Sequence, residues 1–148
     1  MRVLKACGII LLLMSGCTPQ AALTPQAAFY DLQQAFLRGD ASALERQLST
    51  ASVKRIRRMA SLFSNMDDRQ RAAVAKRLHI NEERIARLSV RDWCAIAVRM
   101  DKGLREAAAC RIVGIDRNDG RATIRVDNGM ELYFVKEGPY WKLDIRDL

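Results

Sequence analysis

Few side chains in this 148-residue chain are of types that could do chemistry, and their spacing limits what they could do. The one histidine, His79, ends a basic helical segment beside Lys76 and Arg77, which assigns it to a surface or helix C-terminal position rather than to proton transfer. Asp31 follows Tyr30 on the first amphipathic segment, and Asp144 alternates with apolar residues near the end of the chain, which directs it away from a core. General acid–base work needs such groups paired and desolvated, and neither aspartate sits at the spacing of a dyad. There is no serine elbow, no glycine-rich phosphate loop and no second histidine to complete a metal site. The expectation is therefore no catalytic residue, no metal ligand and no cofactor.

The cysteines remain. Cys94 and Cys110 fall in segments with apolar neighbours, Ala95 and Ile96 around one and Ala109 and Ile112 around the other. In an oxidising compartment they can join, and a loop of that length would stabilise the fold by about 3 kcal/mol. The alternative is two buried, unpaired thiols. Cys17 is different, because of what precedes it. Arg2 and Lys5 give a positive start, Ile9 to Met14 is a short apolar run, and small Ser15 and Gly16 lead into the cysteine. That order is an export signal, and the run is too short to span a bilayer as a permanent helix.

The segment Leu13-Met14-Ser15-Gly16-Cys17 resembles the lipobox of bacterial lipoprotein precursors. The resemblance implies removal of residues 1–16, acylation of Cys17, and a lipid-anchored protein of the bacterial cell envelope. The other readings are an ordinary cleaved signal with an incidental cysteine, or an uncleaved anchor. Thr18, where inner-membrane lipoproteins often carry aspartate, implies the outer membrane facing the periplasm. Three acyl chains exceed what stable anchoring requires. Residues 17–24 then form the lipidated cysteine and a short uncharged linker, and residues 25–148 form a single domain.

Charge narrows the partners. The full chain carries +8, and losing Arg2 and Lys5 with the signal leaves about +6. An exported basic domain meets anionic headgroups, acidic polymers and envelope proteins, so nucleic acid is set aside. The cations concentrate in the helical half, with Lys54, Arg55, Arg57 and Arg58 as the candidate contact with an anionic surface. The plainer reading of that cluster is the solvated side of an amphipathic helix.

These residues must be positioned by elements that the apolar pattern outlines. Thr24 and Pro25 open a helix running to Gly39, and Asp40 caps a second one carrying Leu44 and Leu48. A third starts near Ser52 with Val53, Ile56, Met59, Ala60 and Phe63 on one stripe. Asp68 to Leu78 is a further helix, Asn81 to Leu88 a short turn, and Ser89 with Asp92 a capping box for the helix carrying Trp93. Leu104 to Ile115 reads as one long strand or a helix-to-strand passage. Ala122, Ile124 and Val126 alternate with polar residues, Asn118-Asp119-Gly120 turns the chain, and Asn128-Gly129 predicts a two-residue hairpin with both central residues at positive φ. Met130, Leu132 and Phe134, then Glu137-Gly138-Pro139 and Trp141, Leu143 and Ile145, complete an antiparallel meander. The fold class is α+β, with N-terminal helices packed on a curved antiparallel sheet of about four strands.

Helices followed by a meander ending in Gly138, Trp141, Lys142 and Leu143 resemble the nuclear-transport-factor-2-like, cystatin-like cone, and small envelope lipoproteins that carry it. That fold hosts enzymes, carriers and interaction modules, so it implies no single activity. Three readings follow. The leading one is a non-enzymatic module that binds an envelope protein. The second is a small-ligand or lipid carrier or sensor, its pocket lined by Phe29, Phe36, Ile124, Leu132, Phe134 and Trp141, residues that the plainer reading makes core. The third is a small cavity enzyme.

Overall fold

The structure is a computed structural model and describes residues 22–146. Cys17 and the export segment lie outside the described residues. Among the described residues seven helices precede one four-stranded antiparallel sheet of order β1-β2-β3-β4. The α+β class with helices packed on an antiparallel sheet is what the pattern predicts.

Helix α1 (Pro25–Arg38) starts where Thr24 accepts the Ala27 N–H at 3.1 Å, and Pro25 occupies a first-turn position whose missing N–H costs nothing. It ends at Gly39, whose φ of 62° lets its N–H reach Phe36 O while Asp40 N–H reaches Ala35 O. This pair of bonds is a Schellman stop, which needs a left-handed residue. Asp40 then caps α2 (Ala41–Gln47), so a single glycine folds α2 back beside α1. Helix α3 (Thr50–Ser64) begins earlier than the apolar stripe predicts, because Ser49 rather than Ser52 supplies the cap, accepting from Ser52 N–H at 3.0 Å.

Helices α4 (Asp68–Leu78) and α5 (Glu82–Ala86) pack on each other, and α5 packs on α3. The second of them is a true helical turn capped by Asn81, where the sequence predicts only a turn. Ala75, Ile85 and Leu88 are buried there, apart from the main core. The capping box of Ser89 and Asp92 opens α6 (Val90–Met100) as predicted.

The segment Leu104 to Ile115 resolves into a passage. Asp101 caps α7 (Lys102–Ala109), and β1 (Ile112–Asn118) follows after two residues. The alanines at 107–109 favour helix strongly enough to hold the segment until the β-branched residues begin.

The two-residue turn expected at Asn128-Gly129 is not formed there, and the turn at Asn118-Asp119-Gly120 takes that form instead. Between β1 and β2 (Arg121–Val126), Asp119 and Gly120 have φ of 42° and 72°, the double positive pair of a two-residue turn. Between β2 and β3 (Glu131–Glu137), only Gly129 is positive, at 85°. There Gly129 N–H bonds to Val126 O, and Val126 N–H bonds to Met130 O at 3.0 Å. This makes a three-residue loop ending in a left-handed glycine, because Asp127 is drawn into the turn to pair with Arg111. Gly138 and Pro139 connect β3 to β4 (Tyr140–Leu143).

Alternation then decides what the sheet buries. Ala122, Ile124, Val126, Leu132, Phe134, Trp141 and Leu143 face the helices and join Phe29, Leu32, Leu44 and Ile56 in one core. Burying each large side chain contributes about 1.5–3 kcal/mol. Truncating Phe134, 1% exposed, to alanine would cost about 3–5 kcal/mol.

Candidate functional site

The six residues predicted to line a pocket are all core. Phe29 and Ile124 are 0% exposed and none of the six exceeds 8%. The concavities lie instead on the surface, and one of them gathers more charge-bearing side chains than the others described. It is a groove of about 480 Å³ between the α1–α2 hairpin and β4.

Its cations arise from helix ends. Arg38 lies in the last turn of α1 and Arg46 in the last turn of α2, where positive charge opposes the helix dipole, and both are exposed. Lys142 joins them from β4, held by donation from Nζ to Arg46 O at 2.5 Å. Of its three donors two remain. Acceptors line the same groove. Asp31 is half-buried with no hydrogen bond or ion pair among the described residues, and desolvation raises its carboxyl above the usual aspartate range. Gln47 Oε1 is shielded from solvent and has no hydrogen-bond partner among the described residues. An unpaired buried acceptor costs about 1–3 kcal/mol, so Gln47 Oε1 would gain from a donor.

Trp141 forms part of the wall and carries Arg117 over its ring at 5.2 Å. Its backbone N–H donates to Ala22 O at 2.8 Å, which docks the incoming chain on the edge of β4 at the groove itself. The arrangement can bind a group that presents both an anion and a hydrogen-bond donor. Its described lining carries no serine, cysteine or histidine.

The other predicted residues are dispersed. His79 is exposed at the end of α4 with φ of 52°, its own N–H bonded to Lys76 O and that of Ile80 to Ala75 O. Of the α3 cations, Lys54, Arg57 and Arg58 are exposed and have no ion pair among the described residues. Arg55 departs from the expectation, since it bonds Asp144 at 3.0 Å and Ile145 O at 2.7 Å and is a strut between α3 and the chain end. Asp144 corrects a second expectation. Its side chain is 11% exposed rather than turned to solvent, because β4 ends at Leu143 and the carboxylate swings in to Ser49 and Arg55.

Cys94 and Cys110 are free thiols, not a disulfide. Cys94 is wholly buried on α6, and burial together with nearby Glu45 pushes its thiol up to about 12. Burial and a hydrogen bond to Asp127 also push the Cys110 thiol up, and the same bond, with the Arg111 N–H, lowers Asp127. Among the described residues no cluster of three or more His, Cys, Asp or Glu could hold a metal ion, and no helix is long and apolar enough to cross a membrane.

Sequence reasoning missed Arg38, Arg46, Gln47 and Lys142. The available signal was the pair of arginines in consecutive helix last turns on either side of Gly39. Lys142 lies about a hundred residues away and reaches them only through the fold. Comparison with protein-family models, curated proteins and solved structures returned no significant match.

Proposed function

We propose that this chain is a membrane-anchored bacterial envelope lipoprotein, acylated at Cys17, whose domain acts as a non-enzymatic protein-interaction or assembly module. The observation that carries the reading is the filled core. Phe29, Phe36, Ile124, Leu132, Phe134 and Trp141 are buried members of one core, and the described concavities that Phe36, Leu132 and Trp141 border lie on the surface, whereas a carrier or a cavity enzyme needs an enclosed chamber. Function then belongs to surfaces.

The helical stretch from Arg57 to Leu88 supports a protein partner. It exposes Leu62 beside the free cations Arg57 and Arg58, and its small cluster around Ile85 is separate from the main core. An acidic surface with an apolar centre would complement it. The resemblance to a cystatin-like cone agrees with four meandering strands under helices, and such folds serve readily as adaptors. The outer membrane, with the domain in the periplasm, is the proposed location.

The test is expression of the full chain in a bacterial envelope with a photo-crosslinking residue at Leu62. Discrete adducts of defined mass, lost when Arg57 and Arg58 become glutamate, are expected. Native mass spectrometry showing a metabolite or lipid that co-purifies stoichiometrically would instead favour a carrier. Failure of Cys17→Ser to abolish incorporation of a labelled fatty acid would remove the anchor.

A further inference from the structure

The groove at the α1–α2 hairpin is five Cα steps from the proposed anchor, and that distance sets how far from the membrane it can lie. Cys17 to Ala22 spans at most about 18 Å whatever its conformation. A domain of about 125 residues has a radius of gyration near 14 Å, hence a diameter of roughly 36 Å. The tether is half the width of the body it holds. Ala22 is fixed to Trp141, and Ala22 and Trp141 both line the groove. With Cys17 in the bilayer, this groove lies within reach of the headgroups.

We propose that the groove formed by Arg38, Arg46 and Lys142 seats the phosphate of a membrane lipid headgroup, and that Asp31 and Gln47 take the donor at the end of that headgroup. The inference rests on acylation of Cys17. The chemistry fits on both counts. Two exposed guanidinium groups and an ammonium with spare donors suit a phosphodiester, which accepts only. Asp31 and Gln47 Oε1 are acceptors that lack donors among the described residues, and an ethanolamine ammonium or a glycerol hydroxyl supplies one. A choline headgroup carries the same phosphate and has no N–H or O–H to give. Exposed Leu23 and Tyr140 flank Ala22 and Trp141 in the chain, and an aromatic at a membrane interface is favourably placed. Because the acyl chains already retain the protein, the groove orients the domain rather than recruiting it.

The experiment uses the full acylated chain carrying Trp93→Phe, so that Trp141 is the remaining tryptophan, in vesicles containing dansyl-labelled headgroups. Energy transfer from Trp141 is expected to be strong in phosphatidylethanolamine with phosphatidylglycerol. It should fall at least twofold in phosphatidylcholine, or when Arg38 and Arg46 become glutamine. The variant Lys54→Gln with Arg57→Gln and Arg58→Gln should leave it unchanged. Transfer that ignores Arg38 and Arg46, or that follows the α3 cations, overturns the inference while acylation stands. Loss of transfer on adding millimolar inorganic phosphate also overturns it, marking a site for a soluble phosphate. The mass of the N-terminal peptide from the same vesicles separates the two levels: an unmodified Cys17 overturns the lipoprotein reading, and the orientation with it.

Discussion

The buried hydroxyl of Ser52 accepts the backbone N–H of Ile145 at 2.8 Å and is 3.2 Å from the carbonyl of Leu143. Ser49 Oγ lies 2.9 Å away and itself donates to Asp144. Two serines of one helix start thus take over the hydrogen bonds that β4 loses where its ladder ends. Leu48 extends the join by pairing with Leu143, and Ser49 N–H bonds to Leu143 O at 2.8 Å.

Removing that hydroxyl leaves a buried N–H without a partner, so Ser52→Ala should destabilise the domain by about 1–3 kcal/mol. The measurement is the urea midpoint, with the slope unchanged. Ser61→Ala, on the exposed end of the same helix, is the control and should cost little. An unshifted midpoint for Ser52→Ala would mean that water replaces the serine.

His79 makes a prediction of opposite sign. It holds the left-handed position of a Schellman stop, φ 52°, where a side chain costs about 1–2 kcal/mol relative to glycine in that conformation. His79→Gly should therefore raise stability by about 1 kcal/mol, since the gain is partly offset by the freedom glycine adds to the unfolded chain. A loss of stability would show that the imidazole makes an interaction that outweighs its backbone strain.

How far these features could be read beforehand depended on how local they are. Capping residues at Thr24, Asp40, Asn81 and Ser89 act on N–H groups three positions on, so the sequence displays them directly. Alternation from Ala122 to Leu143 likewise reports burial of one sheet face. Asp144 was misplaced because alternation says nothing about where a strand stops. The Asn128-Gly129 turn was misassigned because Asp127, one residue earlier, is committed to Arg111 on a neighbouring segment. The groove was invisible because Arg46 and Lys142 meet only after β4 has docked on the α1–α2 hairpin.

Asp31 sets a pH dependence. Its carboxyl is raised by desolvation, so the folded state holds the charged form less well than the unfolded chain does. Above both its folded and its unfolded value the carboxylate is ionised in both states, and folding bears the whole penalty. Below the ordinary aspartate value of about 3.9 it is protonated in both, and the penalty is gone. Asp31→Asn should thus be more stable than the wild type at pH 7. The advantage should shrink as pH falls from the raised value toward 3.9 and be absent below. Denaturant midpoints across that range check it. A variant less stable at pH 7 would mean that Arg38 or Arg46 stabilises the carboxylate by more than burial costs it.

The thiols offer a test of the core itself. Cys94 is fully buried with its thiol pushed up to about 12, so both access and thiolate are scarce at neutral pH. Cys110 is partly buried at the end of α7, and its thiol is raised by burial and by its bond to Asp127. Alkylation of native protein at pH 7.5 should label Cys110 slowly and Cys94 only after denaturation, and prior reduction should change nothing. Asp127→Asn removes the charge that holds the Cys110 proton, so that variant should accelerate labelling at Cys110 and leave Cys94 protected. Rapid labelling of Cys94 in the native state would mean that α6 opens from the core, since thiolate and access are both scarce while Cys94 stays packed.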